Sequence, residues 1–359
     1  MVEPQIRVMV FAGAGASCFA NIPAVCSFFG RVNWPQSEGL SAACQELARR
    51  ISNEEKDGTA KDWPRFDAEK LFGWLERWQQ IGRIQSGSCE IKIPRVSEPV
   101  SVDSVMSHLR REIVRIYGSP VEWRTLPTTP YQSFFESLSK LTPQGQPMYV
   151  FTTNYDRILE QLFESWAETN EVFGSKLRVC TGFSSARPGR WQPELFSETP
   201  KPGEKAVHLV KLHGSTSWKM NGTHPVDTGW NQPTDQDCLL YFGYKSVPET
   251  EPFIKLHDLL KAELLRAEAA IVIGFRFGDP YIRELFDFAL RANSRLRVMC
   301  SLTRPPEAES PLAKMMGRFP NRVSLLTGPS GEPLPFGDAR FTDVLEQHLT
   351  APGSAEVGS

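Results

Sequence analysis

Apolar residues occur along the chain in short, nearly continuous runs. Such runs are typical of strands buried on both faces, as in a parallel sheet covered by helices. They predict strands at 6–11, 147–152, 177–180, 206–212, 238–242, 269–274, 296–301 and 322–326. Apolar residues at helical spacing predict intervening helices at 157–170, 252–267 and 280–293. This alternation predicts an α/β fold with a doubly wound, mainly parallel, Rossmann-like sheet.

One long segment, 34–141, departs from the alternation because it is mostly helical in pattern. Helices are expected at 38–52, 67–81, 102–117 and 129–141, with irregular polar pieces at 53–61 and 86–97. An aromatic stripe on the second of these is typical of a core-facing surface. We therefore expect a Rossmann-like domain formed by 1–33 and 142–350, an inserted helical module at 34–141 and a flexible tail at 351–359. The segments 183–203 and 220–236 are expected to be a surface loop and a lid.

Charge and cysteine content narrow the class of protein. The formal net charge is −2, without the excess of cations that binding to nucleic acid or anionic membranes requires. No apolar run approaches the length of a membrane span. The seven cysteines are scattered, with no CxxC pair, which disfavours a zinc ribbon and a disulfide framework. We expect a soluble cytoplasmic protein with reduced thiols, no metal, and no direct contact with nucleic acid or membrane.

The first candidate motif is GAGAS, residues 13–17, which follows the first predicted strand. Two glycines in this arrangement allow a backbone to approach a pyrophosphate, and a following helix offers free N–H groups. The third glycine of the dinucleotide fingerprint is replaced by Cys18. The motif by itself is equally compatible with a nucleotide cradle and with a purely structural turn.

The second motif is FTTNYD, residues 151–156, where an apolar strand ends in polar residues before a helix. Open α/β sheets bind ligands at this carboxyl edge. Either Asn154 or Asp156 is expected to cap the following helix, which leaves the other for a ligand.

The third motif is KLHGS, residues 211–215. His213 ends an apolar strand, so its ring is expected to point into the crevice at the carboxyl edge and to act as a general base. A structural role is the alternative. His208, in the middle of the strand, is interpreted as a core or surface residue.

The fourth motif is IGFRFGD, residues 273–279, where a strand again leads through glycine into a helix. Gly274 would bring the backbone close to a ribose or phosphate. Asp279 precedes a proline at a helix start, so a capping role is sufficient to explain it. Arg276 is either a phosphate ligand or an ordinary exposed arginine.

The order of the four motifs, with Ile22-Pro23 after the first, resembles that of the sirtuin superfamily, and most of all the prokaryotic sirtuin-like proteins of antiphage defence. The resemblance covers about 6–33 and 147–300. It implies that NAD⁺ is bound as a substrate and that the catalytic residues are Asn154, His213 and Asp156. The NAD⁺-binding residues that it implies are Gly13, Ala14, Gly15, Ala16, Ser17, Pro23, Thr153, Gly214, Ser215, Gly274 and Phe275.

Three departures from the deacylating sirtuins bear on the reaction. Their Asp-Phe-Arg after Ile-Pro is replaced by Ala24, Val25 and Cys26, their Gln before the Asn is replaced by Thr153, and their four-cysteine zinc module is absent from the sequence. The resemblance therefore implies an NAD⁺ hydrolase that releases nicotinamide and ADP-ribose, the toxic effector of an abortive-infection system.

Such an effector is expected to be controlled by assembly, either as a homo-oligomer or with a HerA-type ATPase or short Argonaute partner. The aromatic surface of the inserted module is a candidate interface. Two alternatives stay open. One is a protein deacylase or ADP-ribosyltransferase. The other is a non-catalytic scaffold that senses NAD or ADP-ribose.

Overall fold

A computed structural model describes most of the chain, namely residues 6–20, 22, 27–34, 39–55, 67–84, 90–92, 99–118, 129–169, 173, 175–229, 238–242 and 247–350. The predicted tail at 351–359 lies outside these residues, as does the part of the predicted lid at 230–236. None of the described helices combines the length and apolar character needed to cross a membrane.

The strands of this part of the chain are β1 (Val8–Ala12), β2 (Glu90–Ile91), β3 (Val100–Ser101), β4 (Met148–Thr152), β5 (Lys176–Cys180), β6 (Gly189–Arg190), β7 (Glu204–Lys211), β8 (Gly214–Asn221), β9 (His224–Asp227), β10 (Cys238–Leu240), β11 (Ala269–Ile273), β12 (Arg297–Ser301) and β13 (Val323–Leu325). The helices are α1 (Gly39–Glu55), α2 (Ala68–Ile84), α3 (Val102–Tyr117), α4 (Thr129–Leu141), α5 (Ile158–Thr169), α6 (Phe253–Arg266), α7 (Pro280–Ala292), α8 (Pro311–Arg318) and α9 (Phe341–Thr350).

The predicted α/β fold with a parallel sheet is confirmed. Seven strands form one sheet in the order β13-β12-β11-β1-β4-β7-β5, and every pairing within it is parallel. Alternate residues of β1 enter different cores, since Val8 and Val10 pack on one face and Met9 and Phe11 on the other. Burial on both faces explains why its sequence is continuously apolar.

The inserted helices α1 to α4 are packed against the sheet rather than separate from it. Their buried side chains belong to the same hydrophobic core as Val8 and Val10 of β1. On α2, Phe72 is 1% exposed and stacks on Phe242 with ring centroids 4.1 Å apart. The aromatic stripe is therefore largely core, as its spacing predicted, and only its margin at Trp74 and Trp78 is partly exposed.

A second sheet corrects the expectations for three segments. The strand predicted at 238–242 forms as β10, but it pairs in an antiparallel sheet of order β10-β8-β9-β6, so it is not part of the parallel sheet. The beginning of the predicted lid belongs to the β8–β9 hairpin. The predicted surface loop contains β6 and a 3-10 helix at Pro193–Ser197, because Phe183 and Phe196 are buried beside Trp218.

Two glycine turns pack directly on each other where β1 and β11 end. A Cβ on Gly15 would lie 2.7 Å from the Cα of Gly274, and a Cβ on Gly274 would lie 2.4 Å from the Cα of Gly15. Gly274 also has a φ of 63°, in the left-handed region that glycine tolerates best. Glycine is required here for close contact between two backbones.

Substitution at this contact should destabilise the protein. We expect Gly15→Ala to lower the free energy of unfolding by about 1–3 kcal/mol, the usual cost of overpacking, as measured by denaturant unfolding. Gly317→Ala is the matched control, since a Cβ there meets nothing within 4 Å, and it should be neutral or slightly stabilising in α8. Equal stabilities for the two variants would contradict the contact.

Candidate functional site

The carboxyl ends of the central strands open into one large cleft of about 660 Å³, a size usual for small-molecule sites. Its walls come from the turn after β1 (residues 13–18, here called the β1 turn), from the loops after β4, β11 and β12, from the start of α2 and from the segment before α9. The lining residues are Ala14, Gly15, Cys18, Asp67, Glu69, Thr153, Ile273, Gly274, Phe275, Arg276, Gly278, Asp279, Pro280, Ser301, Leu302, Thr303, Arg304, Pro335 and Phe336.

The backbone of the β1 turn is largely occupied by bonds within the protein. Gly13 N–H donates to Ile273 O at 2.8 Å, and Gly15 N–H donates to Gly274 O at 3.1 Å. Ala16 N–H donates to Gly13 O at 2.9 Å. These three N–H groups are therefore not free for a pyrophosphate. The two glycines have a structural reason, although Ala14 and Gly15 still line the cleft.

A small pocket of about 30 Å³ adjoins the cleft, and Asn154 lines it. It shares Ala14, Glu69 and Thr153 with the cleft, and its other lining residues are Ile22, Tyr117, Asn154, Tyr155 and Asp156. Its volume corresponds to about two water molecules. A substrate bond placed where the cleft meets the pocket would be within reach of water. It would also be close to Asn154 and Asp156, which follow β4.

One of the two polar residues after β4 caps the following helix, as expected. Asp156 Oδ1 accepts from Ile158 N–H at 3.0 Å and so caps the start of α5. Asn154 Nδ2 instead donates to Gly13 O at 3.1 Å and Ser17 Oγ at 2.9 Å. The amide thereby ties the end of β4 to the β1 turn, and its position depends on that turn.

His213 lies between two carboxylates. Its Nε2 is 3.0 Å from Asp279 Oδ2, and its Nδ1 is 3.4 Å from Glu69 Oε1. The second contact is an ion pair without the alignment of a hydrogen bond. The histidine is only 1% exposed, so its ring lies behind the two carboxylates that line the cleft. The expectation that the ring itself points into the crevice was wrong.

Charge decides the protonation state of this histidine. Burial alone lowers the pKa of His213, but the carboxylates of Asp279 and Glu69 outweigh it and raise the pKa to about 9. Although burial raises the pKa of Asp279, the hydrogen bond and charge of His213 make the net shift downward. At neutral pH the three groups form an imidazolium with two carboxylates, which carries one net negative charge.

Asp279 and Glu69 are site residues that sequence reasoning did not identify. Asp279 was interpreted as a helix cap, and its Oδ1 does accept from Ile282 N–H at 2.9 Å, but its second oxygen binds His213. Glu69 lies in the inserted module, in the first turn of α2, and also accepts from Tyr155 Oη at 3.0 Å. The sequence signal that could have found Glu69 was an acidic residue next to the core-facing aromatic stripe of α2.

The loop that carries Asp279 is held in an unusual conformation. Phe277 has a φ of 60°, although it is not glycine, and its fully buried ring lies 5.1 Å from that of Phe286. Packing of this ring opposes the backbone strain. The residues on either side, Arg276 and Gly278, are thereby directed to the cleft.

A buried ion pair lies next to the strand ends that carry the candidate site residues. Lys211, at the end of β7, is 1% exposed, and its Nζ lies 2.9 Å from Glu160 Oε1 on α5. The same Nζ donates to the carbonyl oxygen of Asp156. A lysine at this position links the ends of β4 and β7, which carry Asn154 and His213.

Several predicted ligand residues do not line the cleft or the small pocket. Ser215 is fully buried, with its Oγ 3.2 Å from Ser217 Oγ. Gly214 adopts a φ of 83°, and its missing Cβ makes room for Leu239 O of β10. Ser17 contacts Asn154, and Pro23 lies outside the described residues. His208 is a fully buried core residue, and burial lowers its pKa to about 3.

Residues 149–318 match the family model of the SIR2-like domain. This part of the chain is similar to a SIR2-like domain. The match runs from β4 to the end of α8, so it includes Asn154, His213 and Asp279 but excludes the β1 turn and the inserted module. A family of this kind supports an NAD-related activity. No curated protein matches the sequence, and the described residues contain no group of three or more potential metal ligands.

Solved structures of Sir2 proteins are similar at low identity. A triple mutant of a Sir2 homologue with 2′-O-acetyl-ADP-ribose is 14% identical, with 98% of this chain and 94% of that chain covered and a TM-score of 0.40. A complex of a Sir2 homologue with NAD is 13% identical, with 84% and 79% covered and a TM-score of 0.35.

The charge on His213 predicts how stability varies with pH. Because the folded state raises the pKa from 6.5 to about 9, the stabilisation of about 3 kcal/mol is complete below pH 6.5 and is lost as pH rises through 9. Denaturant unfolding between pH 6 and pH 10 should show this decline. His213→Gln should remove it, whereas His224→Gln, on the exposed β9 hairpin, should keep it. Parallel profiles for the protein and His213→Gln would contradict the assignment.

Proposed function

We propose that the protein hydrolyses NAD⁺ to nicotinamide and ADP-ribose at the carboxyl edge of the sheet. The observation that carries the proposal is the small pocket beside the large cleft, which Asn154, Glu69 and Ala14 of the β1 turn line together. The cleft is wide enough for a dinucleotide, and the pocket has the size of a site for attacking water.

The chemistry needs charge stabilisation more than proton donation to the leaving group. When the C1′–N bond breaks, nicotinamide leaves as a neutral molecule with the bonding electron pair, and positive charge develops on the ribose. The cluster of Glu69, Asp279 and His213 carries one net negative charge and is already in place beneath the cleft. Such preorganised charge is a major source of catalysis.

Water completes the reaction. Its oxygen adds to C1′, and the proton that it releases passes to the Glu69 carboxylate, which faces the cleft and is paired with His213. Asn154 orients the water or the ribose. His213, an imidazolium at neutral pH, stabilises the carboxylates rather than accepting the proton directly, which modifies the role expected from the sequence.

Water is favoured as the acceptor by the size of the neighbouring cavities. The small pocket is about 30 Å³, and an apolar cavity that Glu69 also lines is about 10 Å³. Together they have room for a few water molecules, but not for an acylated lysine side chain. Free ADP-ribose is therefore the expected product, rather than O-acyl-ADP-ribose or a modified protein.

The position of α2 also supports control by assembly. Glu69, in the first turn of α2, lines the cleft and both cavities, so a shift of this helix would change the shape of all three. We propose that a homo-oligomer contact, or a partner such as a HerA-type ATPase or short Argonaute, shifts this helix during antiphage defence. Support for this role comes from the resemblance to defence proteins and from the position of α2.

Replacement of the two residues implied as catalytic should abolish turnover. We expect Asn154→Ala and His213→Ala to reduce NAD⁺ consumption by at least about 100-fold, measured by chromatography of nicotinamide and ADP-ribose. Circular dichroism and thermal unfolding verify that both variants fold. Parental rates in two folded variants would contradict the proposed site.

Glu69 offers a sharper test because it belongs to the inserted module. We expect Glu69→Gln to lower kcat by about 10²–10⁴-fold with little change in KM, since an amide keeps the shape but cannot accept a proton. Glu76→Gln, on the same helix but paired with Arg110, is the matched control and should retain activity. A fully active Glu69→Gln would exclude Glu69 as the proton acceptor.

A further inference from the structure

Two arginines face the cleft from adjacent strand ends. Ile273 of β11 and Ser301 of β12 are register partners, and Arg276 and Arg304 each follow three residues later. Both arginines are exposed and both line the cleft. Neither has a hydrogen bond or ion pair with another described residue, so their guanidinium groups are available to an anionic ligand.

The backbone of the β1 turn offers few free N–H groups to a phosphate. Its Gly13, Gly15 and Ala16 N–H groups donate to protein carbonyls, so phosphate recognition must come largely from side chains. Guanidinium groups bind phosphate through two parallel N–H donors. Arg276 follows β11, which is the immediate neighbour of β1, and is therefore the arginine nearer to the turn where a pyrophosphate is expected.

Arg304 lies one strand further out. Neighbouring strands are about 4.8 Å apart, so the end of β12 is roughly 10 Å from that of β1. In a dinucleotide that extends from Asn154 across the β1 turn, this is the position of the adenosine ribose. A carboxylate at such a position binds the free 2′-hydroxyl of NAD, whereas an arginine accommodates the 2′-phosphate of NADP.

The positions of the acidic residues agree with a site where an arginine, and not a carboxylate, contacts the adenosine ribose. The carboxylates that line the cleft are those of Asp67, Glu69 and Asp279. Asp67 caps the start of α2, and the other two contact His213. The residues that follow β12 at the cleft, Leu302, Thr303 and Arg304, include no acid.

We propose that Arg304 selects a dinucleotide whose adenosine ribose carries a 2′-phosphate, as in NADP⁺, while Arg276 binds the pyrophosphate common to both dinucleotides. This inference rests on the proposed function for the orientation of the dinucleotide. It assigns the substrate class of the same site and gives the two arginines different roles.

Fragments test this assignment without any turnover. In isothermal titration calorimetry, adenosine 2′,5′-bisphosphate should bind at least about 10-fold more tightly than AMP. Arg304→Ala should abolish that preference by weakening only the bisphosphate, by about 10- to 100-fold, the usual effect of losing a charged hydrogen-bonding partner. Arg276→Ala should weaken both ligands by a similar factor. Arg295→Ala, which precedes β12 at the opposite edge of the sheet, should change neither.

Two results would overturn the inference. One is equal binding of the bisphosphate and AMP by the parent protein. The other is an equal loss for both ligands in Arg304→Ala, which would assign Arg304 to the shared 5′-phosphate. Comparison of kcat/KM for NADP⁺ and NAD⁺ separates the two proposals. Fragment preference without cleavage of either dinucleotide contradicts only the proposed hydrolysis, and NAD⁺ cleavage without the preference contradicts only this inference.

Discussion

The placement of His213 between two carboxylates is the constraint on which the site depends. The histidine follows β7, Asp279 caps α7 after β11, and Glu69 lies in the first turn of α2 in the inserted module. None of these carboxylates is adjacent in sequence to the histidine, yet their atoms lie 3.0 and 3.4 Å from its ring. The inserted module is therefore part of the candidate site, and its packing on the sheet sets the charge of the histidine.

The cleft is lined by charges of both signs. Asp279 and Glu69 contact His213, whereas Arg276 and Arg304 also line the cleft and have no hydrogen bond or ion pair with another described residue. A dinucleotide has the complementary arrangement, since its nicotinamide ribose becomes positive during cleavage and its phosphates are negative. The glycine turns after β1 and β11 contact each other so closely that they form a rigid part of the cleft wall.

Most of the fold followed from the pattern of apolar residues. Strands buried on both faces, such as β1 and β11, and helices with one apolar face were predicted within a few residues of their observed ends. The second sheet was missed because β6, β8 and β9 are amphipathic or short, and their pairing depends on distant aromatic contacts such as Phe183 with Trp218. Motif order predicted Asn154 and His213 as candidate residues, whereas the position of Glu69 depends on tertiary packing that no local pattern encodes.

The most direct test of this account is the pKa of His213 itself, measured by NMR titration of the labelled imidazole with His213→Gln used to assign its signal. We predict an apparent pKa of about 9 for His213. We predict a lower pKa in Glu69→Gln, because one of the two stabilising charges is then removed. A pKa at or below 6.5 in the parent protein would contradict it, because the two carboxylates would then not be holding an imidazolium.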